Sequence, residues 1–262
     1  MSAAQAIEPR FIPKIWGSKE LEPWFPNPTE PTGEVWFPAG ELLIKFLFTT
    51  ENLSVQVHPK DDYAALHEQS LGKTEMWHIL RAAPDAKVAL GFTEPVGPQQ
   101  FRKSAESGEI VDLLEWMPAH AGDTFFAPAG TVHAIGAGLA LCEIQQNSDV
   151  TYRVFDYGRD RGLQLEKALE VADFGRHPGA SAPRLIGAGS ELLVECAYFV
   201  TEKAHISFPC ALHAGYAIVL EGSGLLDGQP FRPGTVWSIP QEGSRIGPES
   251  PVTLLTTRVP VS

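Results

Sequence analysis

Two histidines and a carboxylate stand in three separated stretches whose side-chain patterning could bring them together around a divalent cation. The first stretch is Ser54-Val-Gln-Val-His58-Pro. Successive side chains of an extended strand point to opposite faces, so Ser54, Gln56 and His58 share one face while Val55 and Val57 share the other. The same alternation in Lys73-Thr-Glu-Met-Trp groups Lys73, Glu75 and Trp77, and a third stretch from Gly122 ends in His133. Neutral imidazole nitrogens, one carboxylate oxygen and a neighbouring amide, Gln56, suit a borderline ion such as zinc. Three or four protein ligands leave room for water or a substrate oxygen, which is a catalytic rather than a closed structural arrangement.

The elements that must hold these donors are strands and tight turns. Gly122, Pro128, Gly130 and His133 form the pattern G-x5-P-x-G-x2-H. Its glycines permit positive φ, its proline fixes the loop, and His133 starts the next strand facing inward. This resembles the second motif of the cupin barrels. Gln56-x-His58 stands where the first cupin motif has two histidines, and Glu75 follows a longer insertion than usual.

Around these motifs, alternation predicts two strands between residues 33 and 50, then strands over 87–92, 139–146 and 149–157. Glu143 and Gln145 are expected on one face of the fourth, and Thr151, Arg153 and Phe155 on one face of the fifth. Pro59 with acids behind it opens a helix toward Gln69. A second helical stretch runs over 99–115 with a Ser-Gly break, and a third over 163–172. His67, on the first helix, is read as solvent-facing or packing. Residues up to about 34 read as an extended arm over the barrel, with Phe11, Trp16, Trp24 and Phe25 as packing residues. Residues 173–189 read as a Pro/Gly/Ala-rich linker.

Beyond the linker, short strands over 192–200, 216–222 and 235–240 are expected. Arg232-Pro-Gly-Thr-Val-Trp-Ser-Ile-Pro echoes Ala121-Gly-Asp-Thr-Phe-Phe-Ala-Pro. His205 and His213 lack a carboxylate or later histidine to complete a ligand set and are read as structural. The expected fold is mainly β: a cupin (double-stranded β-helix, or jelly roll) metal-binding barrel with a small helical insertion, over residues 1–175. A second, degenerate cupin-like β-barrel without metal follows over 190–262.

A chain of 262 residues with 24 glycines and 22 prolines fits many short strands joined by turns. A formal net charge of −12 argues against nucleic acid or an anionic membrane as partner. It leaves open a phosphorylated substrate, because a few local Lys and Arg side chains can hold one phosphate. Cys142, Cys196 and Cys210 have no C-x-x-C spacing, so neither a disulfide framework nor a thiolate zinc site is expected, and the cytoplasm is the natural compartment. The N-terminus lacks the basic start and apolar stretch of a signal peptide, and no run of residues is long and apolar enough to span a bilayer.

QVHP, DDYA, GKTEMW, PAGTVHAIG and EIQQNSDVTYRVFDYGR, in that order, together with the opening Pro13-Lys-Ile-Trp-Gly17, resemble the type I mannose-6-phosphate isomerases, in particular their short bacterial branch. The resemblance runs from about residue 13 to 175 and more weakly to the C-terminus. It implies a zinc-dependent interconversion of mannose 6-phosphate and fructose 6-phosphate, with one zinc per chain and a monomer or homodimer. Such a reaction moves a proton between C1 and C2 of an open-chain sugar through an enediolate that needs a neighbouring positive charge. His58, Glu75 and His133 are the expected metal ligands, with Gln56 a fourth. Arg153, Lys73 and Glu143 are the expected catalytic residues, and Ser54, Lys73 and Arg153 the substrate-binding ones. Lys73 is open to roles in ring opening, acid catalysis or phosphate binding, and Glu143 to proton transfer or to orienting a neighbour. His78 departs from the tyrosine common in the family but alternates away from Glu75. Other readings of the same motifs are a cupin isomerase or other metalloenzyme acting on a different phosphosugar, an iron dioxygenase, and a non-catalytic sugar-binding cupin.

Overall fold

A computed structural model describes residues 2–187 and 189–260. It is built from four antiparallel sheets with helices on one side, and hydropathy explains the layering. The first sandwich pairs a six-stranded sheet, in the order Arg10–Ser18, Thr32–Ala39, Leu42–Phe48, Leu139–Gln146, Glu75–Ala82, Thr124–Ala127, with a five-stranded one. The second sheet runs Tyr152–Phe155, Val55–Val57, His133–Ile135, Lys87–Phe92, Leu114–Pro118. Leu47, Trp77, Leu90, Phe125 and Leu141 fill the space between them. This is the jelly roll of the cupins.

Both outer faces are covered too. Val55, Val57, Ala89 and Val154 pack under the helices Pro98–Ser107, Ile110–Leu113 and Leu165–Val171, against Phe101, Ile110 and Ala168. Leu42, Ile44, Phe46 and Phe48 pack against Leu193, Phe199, Ile218 and Leu255 of a seven-stranded sheet formed chiefly by the C-terminal part of the chain. That sheet and a four-stranded partner enclose a further core of Val219, Phe231, Trp237 and Leu254. Leu42–Phe48 is therefore buried at all seven positions. A strand covered on both faces loses the polar half of its alternation.

Several expectations need correction. The N-terminal arm contributes strands: Arg10–Ser18 is an edge strand paired with Thr32–Ala39, and Gln5–Ala6 pairs with Val236–Ile239. Pro13, which spoils a strand reading, is tolerated because an edge strand need not donate every amide, and the register breaks there. Trp16, Trp24 and Phe25 are core residues, whereas Phe11 is 44% exposed and meets only the edge of Phe25 at 5.6 Å. The helical insertion ends at Leu113, and Leu114–Pro118 pairs with Lys87–Phe92 instead. Within the linker, Arg184–Gly187 forms a strand at the edge of the seven-stranded sheet. Phe155 leaves the face of Arg153, because the register shifts between them, and packs toward the helices.

Candidate metal centre and active-site cavity

Strand register does for the donors what sequence proximity cannot. His133 lies opposite Gln56 across one antiparallel pair, and Arg153 lies opposite Gln56 across the other. Glu75, on the facing sheet, lies opposite Gln145. Glu75 Oε2 is 3.4 Å from His58 Nε2, and Oε1 is 3.3 Å from His133 Nε2. One ligand atom from each of the three residues lies within 4.8 Å of the others, and all three residues are buried.

Each imidazole is oriented from behind. His58 Nδ1 lies 2.9 Å from the Val150 carbonyl and His133 Nδ1 2.9 Å from that of Thr131. A carbonyl can only accept, so both rings carry their proton on Nδ1 and turn an Nε2 lone pair toward Glu75. Burial, followed by the Lys73 charge, pushes the His58 pKa down to about 3, and burial also lowers that of His133. Both rings are thus neutral at neutral pH, the form in which an imidazole can bind a metal. Burial by itself would raise the Glu75 pKa, but the Lys73 ammonium, the largest opposing influence, holds that carboxyl well below the usual range. Glu75 Oε1 accepts from Trp77 Nε1 at 3.1 Å.

These residues fit a divalent cation. The Lys73 ammonium lies 2.7 Å from Glu75 Oε2 and 2.9 Å from His58 Nε2, so the converging lone pairs already attract positive charge. Buried Glu75 Oε2 has no hydrogen-bond partner besides this ion pair. A buried carboxylate oxygen is costly unless a cation satisfies it, a place that Lys73 takes here and that a bound divalent ion would share. Two neutral imidazoles and a carboxylate are the zinc-type donor set.

Beside this cluster opens a cavity of about 210 Å³. Ser54, Gln56, Lys73, Glu143 and Arg153 all line it, so the structure brings together the residues expected from the sequence. Gln56 and Lys73 belong both to the cavity wall and to the polar contacts of the metal cluster. Ser54 Oγ donates to Gln56 Oε1 at 3.3 Å. His78 faces the opposite way, as its alternation predicts: its Nδ1 meets Thr124 Oγ1 at 2.9 Å.

One central residue is not marked by the sequence motifs. Lys45, buried in the middle of Leu42–Phe48, places Nζ 2.9 Å from Glu143 Oε1 and 2.5 Å from Gln145 Oε1, and 5.0 Å from the Trp36 ring centroid. Burial would lower the Lys45 pKa, but Glu143 and Glu34 outweigh it and raise it, so the ammonium stays charged. Burial and the nearby Glu75 charge raise the Glu143 pKa against the pull of Lys45. Lys14, paired with Glu34 at 3.1 Å, and Arg161 also reach the cavity. The signal for Lys45 was a lone cation inside an otherwise apolar seven-residue strand.

A jelly-roll barrel with a buried His-Glu-His cluster beside a cation-lined cavity is a cupin metal site. No protein-family model matches the chain. It is 35% identical to the probable mannose-6-phosphate isomerase GmuF of Bacillus subtilis, over 83% of this chain and 86% of that protein. It is 32% identical to the mannose-6-phosphate isomerase ManA of the same organism, over 89% and 92%. The crystal structure of the Bacillus subtilis mannose 6-phosphate isomerase superposes with a TM-score of 0.89 at 27% identity, covering 98% of this chain and all of that one. The chain belongs to the mannose-6-phosphate isomerase family.

Proposed function

We propose that this protein is a zinc-dependent aldose-ketose isomerase that interconverts mannose 6-phosphate and fructose 6-phosphate by proton transfer between C1 and C2. The observation that carries the proposal is the buried His58–Glu75–His133 cluster beside a cation-lined cavity in a member of this family. His58, Glu75 and His133 would hold the zinc, with Gln56 as a fourth ligand. The ion, when bound, supplies positive charge beside the sugar oxygens on which the enediolate's negative charge develops.

The remaining roles belong to this chain's own side chains. Arg153 is permanently charged and fork-shaped, which suits it to hold sugar oxygens rather than to take a proton. Ser54 and Lys73 are assigned to the substrate as well, Lys73 being placed to give a hydrogen bond or proton to a sugar oxygen. Glu143 is the candidate proton carrier. Its buried carboxyl has a raised pKa, which brings it nearer the working pH of an acid-base group. Lys45, which lines the same cavity, holds that carboxyl in one orientation.

The same proposal confines the chemistry to residues 1–175 and gives 190–262 a metal-free supporting role. The one group of at least three metal-type donors among the described residues lies in the first of these. We place the enzyme in the cytoplasm as a monomer or homodimer. Three unpaired cysteines support that compartment, and no helix among the described residues is long and apolar enough to cross a membrane. The deciding experiment is a coupled assay on mannose 6-phosphate with chelator-stripped protein, with and without zinc. Turnover restored by zinc establishes reaction and metal together, whereas zinc binding without turnover redirects the search to other phosphosugars and then to a binding role.

A further inference from the structure

We propose that Arg161, held in a fork by Asp156 and assisted by Lys14, anchors the substrate's phosphate group in the active-site cavity. The inference rests on the isomerase reading and adds the phosphate subsite to it. Arg161 Nε lies 2.6 Å from Asp156 Oδ2 and Nη2 lies 2.7 Å from Oδ1. This bidentate contact uses one edge of the guanidinium and leaves the Nη1 edge for a ligand. Asp156 is only 2% exposed and is shared with Arg159, whose Nη2 is 2.9 Å from Oδ1. One carboxylate thus positions both guanidiniums, and Arg159 has a second, more exposed partner in Glu51 at 3.6 Å.

Arg153 adds a second guanidinium to the cavity. Its Nε is buried without a hydrogen-bond partner, and burial, then the like charge of Arg161, lower its pKa. Two guanidiniums therefore line one cavity, and among the described residues Arg161 has the carboxylate of Asp156 as its partner while Arg153 makes no ion pair. Of the three acids that line the cavity, Glu143 is engaged with Lys45 and Glu34 with Lys14, and with Asp149 they face five cations, Lys14, Lys45, Lys73, Arg153 and Arg161. The protein as a whole carries a formal charge of −12, so this local cationic excess is not a general property of its surface. A phosphate monoester, with roughly −1.5 to −2 charges and oxygens matched to a guanidinium fork, is the ligand such a wall selects.

Position separates the roles of the two arginines. Arg153 is in register with Gln56, next to the metal cluster, and so serves the reacting end of the sugar. Arg161 follows on the loop that leaves the same strand. Tyr157 and Gly158 turn that loop back with φ of 54° and 75°. Gln164 then closes it, donating its amide to the Arg153 carbonyl at 2.8 Å and accepting from the Arg153 amide at 3.0 Å. The Arg161 guanidinium and the Arg153 backbone are thus held in advance of binding, which lowers the entropy lost when the sugar phosphate docks. Lys14 comes from the edge strand Arg10–Ser18 on the facing sheet.

The test is calorimetric binding of inorganic phosphate, together with steady-state kinetics on mannose 6-phosphate, for zinc-loaded wild type, Arg161→Ala and Arg161→Lys. The expectation for Arg161→Ala is unchanged zinc content, about tenfold or greater weakening of the phosphate Kd, and a comparable rise in KM with a much smaller change in kcat. Arg161→Lys keeps the charge but loses the fork, and should recover part of both losses. Wild-type phosphate affinity in both variants, or a loss confined to kcat, would overturn the assignment. If wild type bound phosphate through Arg161 yet failed to isomerise mannose 6-phosphate, the isomerase reading would fall and the anchor would stand. If wild type isomerised the sugar and Arg161→Ala kept its KM, the anchor alone would fall.

Discussion

Gln56 and His133, 77 residues apart in sequence, lie directly opposite each other in an antiparallel pair, with amide Nε2 3.2 Å from imidazole Nε2. The imidazole proton is on Nδ1, so the amide donates to the same lone pair that a metal would use. A half-turn of the amide about its last bond puts Oε1 in that place and turns a competitor into a fourth ligand. Gln56→Leu should therefore weaken zinc binding by roughly 10–100-fold, the range for groups that support a metal site. Gln56→Glu should tighten it. Competition against a chelating dye reads both, and equal affinities across the three proteins would exclude Gln56 from the coordination sphere.

His58→Ala and His133→Ala should each lose zinc and turnover together, because each removes one of only three charged or imidazole donors in the cluster. Metal content after gel filtration is the readout. A variant that kept stoichiometric zinc would show that its histidine is not a ligand.

Arg153→Ala should behave in the opposite way, keeping zinc while kcat falls by about 100–1,000-fold, the usual cost of removing a donor aimed at developing negative charge. Its backbone is fixed by Gln164 on both sides, so the loop has no need of the guanidinium to fold. Intact turnover in Arg153→Ala would refute the role.

The site was legible where polar side chains interrupt an alternating pattern in sight of a turn motif. Gln56, His58, Glu75 and His133 obey the period of two and lie where that period puts them. Lys45 was passed over because Leu42–Phe48 is covered by a second sheet on its outer face, and neither face of such a strand is polar enough to mark its direction. What gives the direction of Lys45 is its register opposite Glu143, a pairing across 98 residues that no local pattern encodes. Arg161 was missed for a different reason. It lies in a loop, where side-chain direction follows from turn geometry rather than from periodicity. The edge strand Arg10–Ser18 looks like an arm in the sequence because Pro13 and a mostly exposed surface hide a pairing made by the backbone.

Lys45→Met should leave Glu143 and Gln145 without their shared partner in a buried setting. Removing one member of a buried ion pair typically costs about 3–5 kcal/mol, because the other charge is left uncompensated. Pairing it with Glu143→Gln should restore much of the stability, measured by urea unfolding of the zinc-loaded protein, without restoring turnover. Full activity in the double variant would remove both residues from the chemistry.

His78 offers a pH test that is separate from the metal cluster. Burial first, and the charge of Lys203 second, push its pKa from 6.5 down to about 4. A group whose folded pKa lies below its unfolded value binds more protons when unfolded between those two values, so stability falls as the pH drops through that window. The neutral imidazole therefore contributes its full share above about pH 6.5, and that share is progressively lost toward about pH 4, at up to about 1.4 kcal/mol per pH unit. His78→Gln removes the titrating group while keeping a donor within reach of Thr124 Oγ1, its present partner at 2.9 Å. The variant should lose less stability than wild type between pH 7 and pH 5, with zinc content and turnover at pH 7 unchanged because the side chain faces away from Glu75. Parallel stability profiles for the two proteins would mean that the imidazole titrates alike in the folded and unfolded chains.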